Sequence, residues 1–212
     1  FGPLVHTLWT SGTSDHVNVY GPKGTQNLLD GFLKSLEIDI NVRIEDEKQR
    51  DLASIIKVSE ISEGLVMEDE RVKVTALKVV HGLLENCFAF KFETKDKKVV
   101  FSGDTIYFPP LIEFSKDADL LVHEVMLERG INVLAERLKK VKPNLIDHLM
   151  ISHTTAEDAA KLAKEANVKH MVFNHYVPHI PKEFPNSEFV DAAKRVWGGK
   201  ITAGYDLCEI DF

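Results

Sequence analysis

Cysteine is scarce in this chain, with two residues, Cys87 and Cys208, in 212. Two thiols cannot build a disulfide framework or a Cys-rich zinc module. No apolar run approaches the ~18 residues that a membrane-crossing helix needs. Positive charge is in deficit: 26 Lys and Arg stand against 33 Asp and Glu, for a formal net charge of -7. A whole-surface attraction to nucleic acid phosphates is thereby excluded, leaving room only for a local basic patch. Repeats, low-complexity tracts and Pro/Gly/Ser linkers are missing as well. No signal or targeting motif is visible, which leads to the expectation of a cytoplasmic protein.

What is present is an ordinary globular composition, 44% hydrophobic and 28% charged, close to typical usage. A chain of this length is expected to form one domain over residues 1–212 and to bury roughly 70% of its unfolded surface. Its first residues, Phe1-Gly2-Pro3-Leu4-Val5-His6, carry no initiator Met and no polar lead-in, as if the chain opened inside a domain. The nine histidines are the strongest pointer to chemistry, because imidazole serves both metal ligation and proton transfer.

Periodicity predicts the elements. Residues 17–20 alternate like a strand and stop at Gly21-Pro22, while 25–36 places Leu28, Leu29, Phe32, Leu33 and Leu36 at helical spacing. Residues 38–44 and 54–58 read as strands, with a polar connection over 45–51. Strands follow at 71–80, 88–92, 99–101 and 120–122. Residues 132–141 read as a helix, 148–151 as a short strand and 170–173 as another. Thr154 and Glu157 have capping-box spacing and open a helix through Ala166. A helix over 188–197 and two short strands within 201–212 close the chain. The class is α/β, in layers.

Strand ends recur as ionisable positions: His81, Asp104, His123-Glu124, His153 and His175. In layered α/β folds the working crevice lies beyond the carboxyl ends of strands. Imidazole and carboxylate there can supply nitrogen and oxygen to zinc or a similar ion. Gly103 permits a tight turn before Asp104, and the flanking hydroxyls of Ser102 and Thr105 could orient its carboxylate. Each residue alone also fits a plain structural role. Spacing by itself leaves a metal or acid–base site and a structural reading both open.

Several segments together carry a resemblance: Val19-Tyr20-Gly21-Pro22-Lys23-Gly24, Val80-His81-Gly82, Phe101-Ser102-Gly103-Asp104-Thr105, Leu121-Val122-His123-Glu124, Ile151-Ser152-His153-Thr154-Thr155-Ala156 and Asn174-His175-Tyr176. In order and spacing the chain resembles the metallo-β-lactamase superfamily, in the branch of ribonuclease Z and the arylsulfatase-like and cyclic-nucleotide phosphodiesterase-like hydrolases. The resemblance implies an α/β fold of αββα sandwich type with two zinc ions at one sheet edge, manganese or iron being alternatives. It implies that His81 is a ligand of the first metal, that Asp104 bridges both, and that His175 is the last ligand of the second. It implies further that His153 protonates the leaving group and that Glu124 orients His153. Two metals about 3.5–4 Å apart activate a bridging water and stabilise an in-line displacement.

The pattern breaks in two places. The superfamily's His-x-His-x-Asp-His run, which supplies four ligands, is absent from these 212 residues. In relatives that run directly precedes a segment like Phe1-Gly2-Pro3-Leu4. The expectation is therefore a sandwich lacking its N-terminal part, the alternative being a non-catalytic, metal-free relative that serves in binding. Only 23 positions separate His81 from Asp104, where short ribonuclease Z proteins carry a long arm that grips transfer RNA. With the negative net charge, that argues against nucleic acid and for a small phosphodiester, sulfate ester or related ester substrate. A ribonuclease Z-type endonuclease is the alternative. No membrane partner is expected, and relatives that pair as dimers make a homodimer an open expectation. His6, Trp9 and His16 are expected on an early loop facing the cleft, and Tyr176, Pro178 and His179 beside the last ligand. Cys87 is expected to be buried, Phe108-Pro109-Pro110 to form a rigid turn, and Lys139, Lys140 and Lys142 to mark a solvated helix end.

Overall fold

A computed structural model describes residues 1–13 and 15–212. The chain divides into two compact units, Phe1–Ser62 and Glu63–Phe212.

The first unit runs α1 (Gly2–Thr10), β1 (Val17–Gly21), α2 (Thr25–Ser35), α3 (Glu37–Asp46), α4 (Leu52–Ile55) and β2 (Ile56–Glu60), with β1 and β2 paired in parallel. Its core is Trp9, Ile40, Leu52 and Ile55. The expected strand over 38–44 is a helix. Ile38, Ile40, Val42 and Ile44 alternate as in a strand, yet only Ile40 is buried, and Ile38 is 82% exposed. Charge spacing decides the matter: Arg43 pairs with Asp39 and with Glu47, both four residues away, and Glu37 and Asp39 lie in the first turn, where the helix dipole favours anions. The expected strand over 54–58 begins two residues late, since Ser54 and Ile55 belong to α4. His6 and Trp9 lie on α1 rather than on a loop. Trp9 is buried and donates from Nε1 to the Arg50 carbonyl at 2.7 Å, while His6 Nε2 faces Asp39 at 3.0 Å. His16 is exposed.

The second unit runs β3 (Gly64–Glu68), β4 (Lys73–His81), β5 (Leu84–Glu93), β6 (Lys98–Phe101), α5 (Pro110–Phe114), β7 (Leu120–Met126), α6 (Glu128–Leu138), α7 (Leu145–Met150), α8 (Ala156–Glu165), β8 (His170–Val177), α9 (Asn186–Lys194) and β9 (Lys200–Ala203). Its seven strands lie in sequence order, antiparallel from β3 to β6 and parallel from β6 to β9. The parallel pair β7 and β8 is the most buried part of the sheet, β7 along nearly its whole length and β8 over His170–Phe173. Phe173 on β8 and Phe189 on α9 are fully buried, each contributing about 1.5–3 kcal/mol by leaving water. Helix α8 turns Ala156, Ala159, Ala160, Leu162 and Ala163 inward, small side chains that let it lie close to the sheet.

Three further expectations are corrected. Residues 148–151 are not a strand: 145–150 form α7, and its Leu149 packs with Met126 and Ile131. A short apolar run has no periodicity to separate the two states. The cap of α8 is Thr155, one residue later than expected, with Asp158 as its reciprocal partner. The tail after Ala203 contains no second strand. Pro110 opens α5, as proline does at a first helical turn. Lys139, Lys140 and Lys142 are exposed past the end of α6.

Candidate active site

The five expected site residues meet in the second unit, brought there by five different segments. His81 is the last residue of β4. Asp104 lies in the loop after β6, Glu124 on β7, His153 in the loop between α7 and α8, and His175 near the end of β8. Backbone hydrogen bonds lock the two loops to the sheet. Ser102 N donates to Val122 O and Ile106 N to Val80 O, at 2.9 and 3.0 Å. Gly82 N donates to Ile151 O and Met126 N to Thr154 O, at 2.9 and 2.8 Å. Gly103 makes the first loop possible: its φ is +61°, and a Cβ there would lie 2.6 Å from the Phe88 carbonyl oxygen.

Glu124 and His153 form the buried half of the cluster. The Glu124 side chain is 1% exposed and that of His153 is 7% exposed. Glu124 Oε1 accepts from the backbone N–H of Thr105 at 3.0 Å and of Thr154 at 3.1 Å. His153 Nδ1 lies 3.2 Å from both carboxylate oxygens. Three donors converge on Glu124, a pattern suited to a carboxylate acting purely as acceptor. Nδ1 therefore carries the proton toward Glu124, and Nε2 is turned away from that carboxylate. The His153 ring lies between those of His81 and His175, with centroids 5.1 and 5.5 Å away.

Asp104 and His175 form the open half. His175 Nε2 lies 3.3 Å from Asp104 Oδ2, with side chains 48% and 40% exposed. His81 Nδ1 donates to the Ser152 carbonyl at 2.8 Å, which leaves its Nε2 free. The hydroxyls expected to orient Asp104 serve elsewhere. Ser102 Oγ donates to Gly103 O and accepts from Glu124 N, and Thr105 Oγ1 donates to Ile106 O. Nor does His153 end a strand, because it follows α7. The backbone groups that hold the site, Thr105 N, Thr154 N and Ser152 O, escape sequence reasoning because every residue carries them.

The donors suit a divalent ion in kind, being imidazole nitrogen and carboxylate oxygen with a second contact orienting His81. In number they fall short of enclosing one. Among the described residues, no three His, Cys, Asp or Glu side chains are grouped so as to hold a metal ion.

Two cavities flank the cluster. One of about 410 Å³ is lined by His153, Val80, Tyr107, Met150 and Ile151. The other, of about 800 Å³, is lined by His175, Tyr176, His179, Tyr205 and Cys208. Pro178 is buried outside that lining. Burial, reinforced by Cys208, pushes the Tyr176 hydroxyl up to about 12, and it donates to Gly204 O at 3.1 Å. Cys87 is half-buried rather than buried, and burial, with the Asp104 charge second, pushes its thiol up.

Comparison with known proteins places the chain. The model of the beta-lactamase superfamily domain matches residues 5–176. A ribonuclease Z of Mycobacterium marinum is 29% identical over 214 aligned residues, covering 99% of this chain and 74% of the relative. Among solved structures, the metallo-beta-lactamase fold protein YhfI of Bacillus subtilis superposes with a TM-score of 0.62 at 19% identity, over 96% of this chain and 68% of that one. Human tRNase Z, short form, superposes with a TM-score of 0.62 at 17% identity, over 100% of this chain and 73% of that one. The chain belongs to the beta-lactamase superfamily, in its metallo-β-lactamase-fold hydrolase family.

Proposed function

We propose that this member of the beta-lactamase superfamily hydrolyses a small phosphodiester, sulfate ester or related ester, with Glu124 and His153 as its proton-transfer pair and His81, Asp104 and His175 as ligands of divalent metal, zinc foremost. The observation that carries the reading is the buried Glu124–His153 pair, with Nδ1 3.2 Å from the carboxylate and Nε2 left facing away from it, beside the rings of His81 and His175. A bound divalent ion supplies Lewis acidity and brings the acidity of water near neutral pH. The zinc positions that these three side chains leave open belong to other donors.

The chain's own residues do the rest. Asp104 and His175 present an oxygen and a nitrogen side by side at the open edge. The amides of Thr105 and Thr154 fix Glu124, and Glu124 fixes the ring of His153. As water adds to the ester centre, Nε2 of His153 takes a proton from it, and that proton passes to the leaving oxygen as its bond breaks. Proton transfer of this kind contributes about 10²–10⁴-fold.

Two observations support a small substrate. The flanking cavities, about 410 and 800 Å³, match the roughly 300–1,000 Å³ of small-molecule sites. Between His81 and Asp104 there is only β5, the turn at 94–97 and β6, with no inserted arm. A second reading, RNA cleavage, is favoured by the ribonuclease Z relative that aligns over 99% of the chain.

The test is hydrolysis by the zinc- or manganese-loaded protein of bis(p-nitrophenyl) phosphate, p-nitrophenyl sulfate and a transfer RNA with a 3′ extension. Metal-dependent release of nitrophenolate is the expected result. Cleavage of the RNA alone replaces the first reading with the second, and inertness toward all three overturns both.

A further inference from the structure

His123 is the buried titratable group that the chemistry above leaves unused. It has no exposed surface. Its Nδ1 lies 2.7 Å from the backbone carbonyl oxygen of Glu124, a contact that only an Nδ1–H can make, so the neutral ring is the Nδ1–H tautomer. Nε2 is then a lone pair, buried without a hydrogen-bond partner among the described residues. Leaving such an atom unsatisfied costs about 1–3 kcal/mol, which an apolar side chain of similar size would not incur. Burial also holds the imidazole below its ordinary pKa, which keeps it neutral.

Its place in the sheet gives that cost a reason. Glu124 pairs with Asn174, but the next residue, Val125, pairs with Tyr176. His175 is therefore the extra residue of a bulge in β8, and it stands at φ +42°. The Glu124 backbone faces the other neighbour, β6: its N–H donates to Ser102 Oγ, and two residues earlier the Val122 carbonyl accepts from Ser102 N. β6 ends at Phe101, and a buried carbonyl past its end needs a partner from elsewhere. The Glu124 carbonyl finds one in the ring of its own neighbour.

We propose that His123 is a positioning residue: its Nδ1–H takes the place of the ladder bond that β6, ending at Phe101, does not supply to the Glu124 carbonyl, and so sets the Glu124 carboxylate against His153. It touches no substrate. The part of this read through turnover rests on the hydrolase reading; the part read through the ring itself does not.

The experiment compares wild-type protein with His123→Leu, which fills the volume without a donor, and His123→Asn, whose amide nitrogen sits near the place of Nδ1. With bis(p-nitrophenyl) phosphate, His123→Leu is expected to lower kcat roughly 10- to 100-fold. KM is expected to change by less than about threefold, and Tm to stay close to that of wild type, because the Glu124 carbonyl left without a partner offsets the removal of the unsatisfied nitrogen. His123→Asn is expected to return kcat to within about threefold of wild type. Nitrogen-15 NMR of the wild-type ring is expected to show the neutral Nδ1–H tautomer from about pH 5 to 8. The Glu124 and Val125 amide signals are expected to move in the Leu variant and return in the Asn variant. Full turnover in His123→Leu overturns the proposal, as does an Asn variant no better than Leu or an Nε2–H tautomer. If His123→Leu does not fold, the tautomer and the Asn variant decide. If the wild type is inert, the hydrolase reading fails, while the tautomer and amide signals still decide the role of His123.

Discussion

Replacing Glu124 by Gln exchanges one oxygen of a buried network for an NH₂ group. The carboxylate accepts from Thr105 N and Thr154 N at 3.0 and 3.1 Å and from His153 Nδ1 at 3.2 Å. Gln keeps one oxygen for the two amides but turns a donor toward His153. The imidazole must then accept at Nδ1 and carry its proton on Nε2, and it loses the negative partner that stabilises its protonated form. Proton transfer by a positioned histidine is worth about 10²–10⁴-fold, so kcat should fall by that range. Stability should fall only by the charged part of one hydrogen bond, about 1–2 kcal/mol. Glu124→Ala differs, because it strands two buried N–H groups at about 1–3 kcal/mol each, or about 2–6 kcal/mol together. That is a large share of the 5–15 kcal/mol typical of a folded domain. Nitrophenolate release under saturating zinc, thermal unfolding and bound-metal analysis read the three quantities. A Gln variant within about threefold of wild-type turnover, or an Ala variant as stable as Gln, refutes the reasoning.

Two further outcomes follow from the geometry. Burial depresses the pKa of His123 and, less completely, that of His170. Below the ordinary histidine value of about 6.5 the unfolded chain takes up protons that the buried rings refuse, so stability is lost as pH falls. His123→Leu should remove the His123 share of that slope in urea unfolding. Gly82→Ala should destabilise by about 1–3 kcal/mol, because Gly82 sits at φ +53° and its new Cβ would lie 2.7 Å from Ser152 Oγ. Adding Ser152→Ala should recover part of the lost Tm.

The seven-stranded sheet was largely legible: 71–80 and 88–92 alternate as half-buried strands do, and the short apolar runs at 99–101 and 120–122 are strands as expected, while β3 at Gly64–Glu68 went unread. Residues 38–44 misled for the opposite reason: a perfect alternation of Ile38, Ile40, Val42 and Ile44 lost to the Asp39–Arg43–Glu47 pairs along one helix face. The run before Ser152 was too short to choose between strand and helix. All five site residues named from sequence converge, because each lies near the carboxyl end of an element of the second unit or in the loop that follows one. How they are held was not legible. Glu124 depends on the amides of Thr105 and Thr154, His81 on the carbonyl of Ser152, and His175 on a bulge at φ +42°, and the backbone leaves no mark in the letters of a sequence.

The division of labour between Glu124–His153 and the metal-facing residues is tested most directly by His153→Ala, with turnover and bound zinc measured on the same preparation. The variant should lose about 10²–10⁴-fold in kcat while holding as much zinc as wild type, because the proposed role of His153 spends its Nδ1 on Glu124 and its Nε2 on the leaving group. Loss of zinc along with activity would make His153 a ligand, and unchanged turnover would remove it from the chemistry altogether.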